Sequence, residues 1–216
     1  MTKQTITHHL SDELLMAYSA GALPEAFSLM VAAHVSLCDE CRAQVEAYDA
    51  LGGGLMDADS VAMSPDSLDA VFSAIDNGPR ARVRAKTSQC PILPQPLQDY
   101  IGGGVDAVRW RPVGMGVRQA ILSTDKAATA RLLYIPAGAA VPDHGHHGNE
   151  LTMVLQGGFS DEYDHFLRGD VEIADEDINH TPIADVGEDC ICLAVTDAPL
   201  KFSGLMPRLL QPLLRI

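Results

Sequence analysis

The chain has 216 residues, 47% apolar and 20% charged, a composition that suits one large globular domain or two modest ones. Its net charge of -14 argues against direct binding to nucleic acid, because phosphate contacts need Lys and Arg. Residues 1–77 carry 12 acids against Lys3 and Arg42, so the acidic front third suits a basic partner or a solvated face.

In chain order the front third reads as helices. Ser11 followed by Asp12 and Glu13 has the form of an N-cap with dipole-favourable acids, and Gly21 has the form of a stop. Pro24 opens a second helix in a tolerated first-turn position, running to about Ser36. Its apolar run, Ala26 to Leu37, is too short to span a bilayer and reads as a buried helix. Asp39 starts a third helix through Val45, Tyr48 and Leu51, expected to end at Gly52-Gly53-Gly54. Ser64-Pro65-Asp66 starts a fourth, with Leu68, Val71, Phe72 and Ile75 as its apolar stripe. Residues 1–77 are therefore expected to form a four-helix domain.

Residues 78–96 read as a linker, punctuated by Gly78, Pro79, Pro91, Pro94 and Pro96 and made locally basic by Arg80, Arg82, Arg84 and Lys86. Residues 97–216 read as an all-β sandwich or barrel, with short apolar runs such as Ala130–Ile135 and Cys190–Val195 separated by Gly, Pro and Asp. The last stretch, Leu205 to Ile216, is expected to pack back on the barrel or to serve a subunit contact. Five cysteines, an odd count, and a start that is neither basic nor apolar favour a reducing cytosol.

Two patterns carry chemistry. His34-x3-Cys38-x2-Cys41 places two thiols and an imidazole on one helical face, since 3.6 residues make a turn. Such a set suits zinc, with a fourth ligand from His8 or His9. The ion would staple a bundle too small to bury much core. The second pattern is His144-x-His146-x3-Glu150, whose shared parity points three side chains to one side of an extended chain. Cys190 and Cys192 also share a strand face. They read as buried core thiols or as a redox-reactive pair, and a bridge between them would require the strand to bend.

The front region resembles the zinc-binding anti-sigma factor family, which implies His9 (or its neighbour His8), His34, Cys38 and Cys41 as ligands of one zinc ion. Gly138-x5-His144-x-His146-x3-Glu150-x6-Gly157 is similar to the first cupin motif. A segment from Gly169 to His180 resembles the second motif and implies His180 as fourth ligand, although Ala174-Asp175-Glu176 departs from that pattern. This set can hold zinc or another divalent metal.

The order of parts, the length and Cys190-Ile-Cys192 together resemble the ChrR-type anti-sigma factors, an anti-sigma helical bundle followed by a cupin (jelly-roll) barrel. The resemblance implies a cytoplasmic regulator without catalytic residues. It would bind an extracytoplasmic-function sigma factor and release it under oxidative stress such as singlet oxygen, with the barrel required for sensing. The competing reading is a metal-dependent cupin oxygenase with a helical dimerisation domain.

Overall fold

The computed structural model describes residues 5–58, 61–78 and 90–202. The helices among them are α1 (Asp12–Ser19), α2 (Glu25–Val35), α3 (Asp39–Ala58), α4 (Ser67–Asn77) and α5 (Gln95–Ile101). The strands are β1 (Arg111–Gly114), β2 (Val117–Ile121), β3 (Thr129–Ile135), β4 (His144–Gly145), β5 (Glu150–Gln156) and β6 (Gly158–Ser160). After them come β7 (His165–Leu167), β8 (Val171–Ala174), β9 (Asn179–His180), β10 (Ile183–Ala184), β11 (Cys190–Thr196) and β12 (Lys201–Phe202). Residues 79–89 of the expected linker and the terminal stretch 205–216 lie outside the described residues.

Ser11 caps α1 as its sequence predicts, its Oγ accepting from the Leu14 amide at 3.4 Å. Pro24 caps α2 from outside rather than filling its first turn. Seven side chains of α2, from Ala26 to His34, are buried. A helix apolar all round needs neighbours on every side. For α2 these are α1, α3, α5 and the strands β3, β5 and β11.

α3 runs on past the glycine run to Ala58. None of Gly52, Gly53 and Gly54 takes the positive φ that a glycine stop requires. Within a helix each glycine weakens it, by about 0.5–1 kcal/mol relative to Ala, without ending it. α4 forms, but its stripe faces solvent, with Leu68 64%, Val71 52%, Phe72 57% and Ile75 70% exposed.

α5 was hidden in the sequence by the prolines that mark the linker. Pro94 is its cap and Pro96 sits in its first turn, where the missing N–H loses nothing. Leu93 and Leu97 are 1% and 0% exposed, so this end of the linker belongs to the core.

The strands form the expected antiparallel jelly-roll class. A six-stranded sheet, β1-β2-β3-β11-β5-β8, is accompanied by two three-stranded sheets, β10-β6-β7 and β12-β4-β9. Strand alternation gives the large sheet two different faces. Leu132, Leu151, Met153, Leu155, Leu193 and Val195 join one apolar cluster with Leu15, Met30, Val31 and Leu97 from the helices. On the opposite face Val154, Cys190 and Cys192 join Phe159 and Phe166 from the β10-β6-β7 sheet in a second cluster. The helices therefore lie on the outside of the sheet, and the barrel interior is lined by the other parity.

That division gives a stability prediction. Leu193→Ala, in the cluster shared by helices and sheet, should lower the unfolding free energy by about 2–5 kcal/mol. Phe72→Ala on α4 should change it by no more than about 0.5 kcal/mol. Urea unfolding followed by circular dichroism checks both values.

Candidate metal centres

The first cluster assembles where three pieces of chain meet. His34 comes from the last turn of α2, Cys38 from the junction and Cys41 from the first turn of α3. Cys38 also takes over the capping of α3, its Sγ accepting from the Cys41 amide at 3.4 Å. The fourth member arrives from the start of the chain, and it is His9 rather than His8. One ligand atom each from His9, His34, Cys38 and Cys41 lies within 4.8 Å of all the others.

The hydrogen bonds set the tautomers. His34 Nδ1 lies 3.0 Å from the Gly169 carbonyl, which can only accept, so the ring donates there. The Nε2 lone pair is then left facing Cys41 Sγ at 3.2 Å. His9 Nδ1 lies 3.4 Å from Cys38 Sγ and 3.6 Å from Cys41 Sγ. Burial holds His34 down at about 4, so its ring is neutral at physiological pH. Burial pushes the Cys41 thiol up to about 12, with Cys38 beside it adding to the rise. Two buried sulfurs and two inward nitrogen lone pairs form a donor set that a cation completes.

His8 has another task. Its Nε2 contacts Asp164 Oδ2 at 3.0 Å, and its backbone amide donates to Asp170 Oδ1, also at 3.0 Å.

The second cluster is inside the barrel. His144 on β4 and His180 on β9 are paired across the strands, and His146 follows one parity step after His144. One ring nitrogen from each lies within 4.8 Å of the others, and all three rings are buried. His144 Nδ1 donates to the Pro142 carbonyl at 2.9 Å. His180 Nδ1 lies 2.8 Å from Glu172 Oε1 and 3.1 Å from Asp161 Oδ2. Both rings therefore turn their Nε2 atoms to the same point, 3.2 Å apart.

Both His146 nitrogens and Glu150 Oε2 are buried without a hydrogen-bond partner. An ion at their centre satisfies lone pairs that otherwise oppose one another, so these residues fit a divalent metal. Glu150 stands beside the three rings rather than among them, its Oε2 3.2 Å from His146 Nδ1 without hydrogen-bond alignment. Burial opposes charge on His180, but the hydrogen bond and charge of Glu172, with Asp161, outweigh it and raise the ring to about 9.

Asp161 and Glu172 were missed in the sequence. They form a second close group with His180, but they belong to the β6–β7 loop and to β8, with no fixed spacing to reveal them. Cys190 and Cys192 are free thiols, both buried, with their Sγ atoms 3.3 Å apart. β11 stays regular against β3, and the extra residue of its bulged pairing, Leu155, lies on β5. The Cys190 contact, then burial, holds the Cys192 thiol well above its ordinary value, so Cys192 is protonated at rest.

Residues 100–199 match the family described as ChrR Cupin-like domain. The anti-sigma-E factor ChrR of Cereibacter sphaeroides is 57% identical over 213 residues, 98% of this chain and 100% of the relative. The crystal structure of Rhodobacter sphaeroides SigE in complex with the anti-sigma ChrR superposes with a TM-score of 0.78 at 57% identity. It covers 89% of this chain and 100% of that one. Among the described residues no helix is long and apolar enough to cross a membrane.

The proton on His180 makes a pH prediction. Below about 9 its ring carries a proton that metal at Nε2 must displace. Apparent affinity of the barrel site should therefore fall by about tenfold for each pH unit from 9 down to 7. At the first site His34, neutral above about 4, adds no such dependence, whereas the Cys41 thiol, raised to about 12, does. Chelator competition across that range, with the cysteine site already filled, checks this; a flat profile would contradict the assignment.

Proposed function

The chain belongs to the ChrR family of anti-sigma factors, and on that premise we propose that it binds an extracytoplasmic-function sigma factor and blocks its access to RNA polymerase. It is a regulator rather than an enzyme. The observation that carries the reading is the apolar surface of α4 and the end of α3, which has no partner among the described residues. Leu51, Leu55, Phe72 and Ile75 are 64%, 67%, 57% and 70% exposed, a stripe at the helical spacing that a groove on a partner covers. The 12 acids of residues 1–77 add a field that steers a basic partner and selects against acidic ones.

In this reading residues 1–77 are the sigma-binding domain, 78–96 the linker and 97–216 the cupin. His9, His34, Cys38 and Cys41 hold one zinc ion, which fastens the chain start to the α2–α3 junction. His144, His146, Glu150 and His180 hold zinc or another divalent metal. The protein works in the cytoplasm, and oxidative stress, singlet oxygen in particular, releases the sigma factor. Oxidisable thiols and imidazoles at the first centre and imidazoles at the second, with Cys190 and Cys192 in the same barrel, support a sensing role.

Co-purification of the full chain with its sigma factor tests the first step. Val71→Glu combined with Phe72→Glu should weaken the complex at least tenfold while metal content is unchanged. Cys38→Ala should lose one equivalent of metal and the complex together. Undiminished binding by the α4 variant would remove α4 from the interface. For the second step, His144→Ala and Glu150→Ala should bind the sigma factor as the parent does but fail to release it on photosensitised singlet oxygen. Normal release by both would exclude the barrel site from signalling.

A further inference from the structure

The two candidate metal centres are joined by one short run of chain, Gly169 to Glu172. At its start the Gly169 carbonyl accepts from His34 Nδ1 at 3.0 Å and so orients a ligand of the cysteine site. At its end Glu172 Oε1 lies 2.8 Å from His180 Nδ1 and so orients a ligand of the barrel site. Three residues of extended chain separate the two, about 10 Å. Both contacts are buried, with His34 0%, His180 2% and Glu172 8% exposed.

The residues between them hold the second histidine of the cysteine site. Asp170 Oδ1 accepts the Thr7 and His8 amides at 2.7 and 3.0 Å, and the Val171 amide donates to the His8 carbonyl at 3.2 Å. His9 is the next residue, so the chain start lies along β8 almost as an added strand. Gly169 itself, at φ +96°, has Ile6 so close that a Cβ there would meet Ile6 Cδ1 at 2.6 Å. The joint is packed as well as hydrogen-bonded.

The geometry points to residues 169–172 as a shared positioning element: the backbone of Gly169 and Val171 and the carboxylates of Asp170 and Glu172 fix both metal centres at once. Occupancy of the barrel site then stabilises the cysteine site, and by linkage the reverse holds equally. When the barrel site loses its metal, the His180 ring keeps only its outer tether to Glu172 and Asp161, so the joint that also supports His34 and His9 is less firmly held. This rests on the reading of both clusters as metal centres.

The test uses the full chain loaded with Co(II). Thiolate-to-cobalt charge-transfer absorption reports the cysteine site alone, because the barrel donors include no sulfur. After addition of excess chelator, the decay of that absorption should be roughly tenfold faster in His146→Ala, whose barrel site is weakened, than in the parent. Glu172→Gln should also accelerate it, and in the His146→Ala background it should add nothing further. Gly169→Ala, which strains the joint without removing a donor, should accelerate cobalt loss as well. Ile135→Ala, which loosens the barrel away from β8, serves as the control and should leave the decay unchanged.

Unchanged decay in His146→Ala, or equal acceleration by Ile135→Ala, would overturn the inference and leave the metal reading standing. Absence of the charge-transfer band in the parent would remove the metal reading itself and the coupling with it.

Discussion

Much of this molecule follows from one constraint: buried nitrogen and sulfur lone pairs are made to face each other. In each centre the outer nitrogen of a histidine is committed to an acceptor, the Gly169 carbonyl for His34 and the Pro142 carbonyl for His144. The inner nitrogen then has only other donors of electron density before it, Cys41 Sγ at 3.2 Å in one case and His180 Nε2 at 3.2 Å in the other. Away from water such an arrangement is unfavourable unless a cation or a proton stands at its centre. The histidines of this chain are oriented before any ion arrives, and the second ring nitrogen does the orienting.

Burial explains how the rest of a small helical region is held together. α1 is eight residues long and α2 eleven, too short to persist on propensity alone. α2 is stabilised instead by burial on all sides, between its helical neighbours and the outer face of the large sheet. The end of α3 and all of α4 lie beyond that core. Their apolar side chains, Leu55, Met56 and Ile75 among them, are exposed, which is what a surface awaiting a partner looks like in the chain alone.

What the sequence made legible was local. His34, Cys38 and Cys41 could be grouped because one helical face fixes their spacing, and His144, His146 and Glu150 because strand parity does. His8 and His9 could not be separated by spacing; the contact of His8 with Asp164 and Asp170 separates them. Glu172 and Asp161 were invisible, since they meet His180 only when β8, β9 and the β6–β7 loop are assembled. α5 overlaps the expected linker at Gln95 and Pro96, because Pro94 and Pro96 are helix openers as well as breakers. Gly52, Gly53 and Gly54 read as a stop, but the signal for a C-cap is a positive φ, which composition does not reveal.

The energies of the contacts say which event can serve as a signal. Moving a two-state grip from almost fully closed to almost fully open requires about 5.5 kcal/mol of differential stabilisation. A single hydrogen bond across the joint, such as His34 to Gly169, contributes only about 0.5–1.5 kcal/mol. The apolar stripe of α4 is far from the barrel interior in sequence, and α4 has no buried side chain through which packing strain could reach it. Metal ligation is different in scale, since a structural zinc site contributes about 10–16 kcal/mol of folding free energy. Of the contacts described, a change in ligation is the one large enough to reverse a tight protein complex while the barrel stays folded. In the proposed function a signal that makes or breaks bonds to a metal is on the required scale, and in the proposed coupling the contacts of residues 169–172 set how much of that change the helices feel.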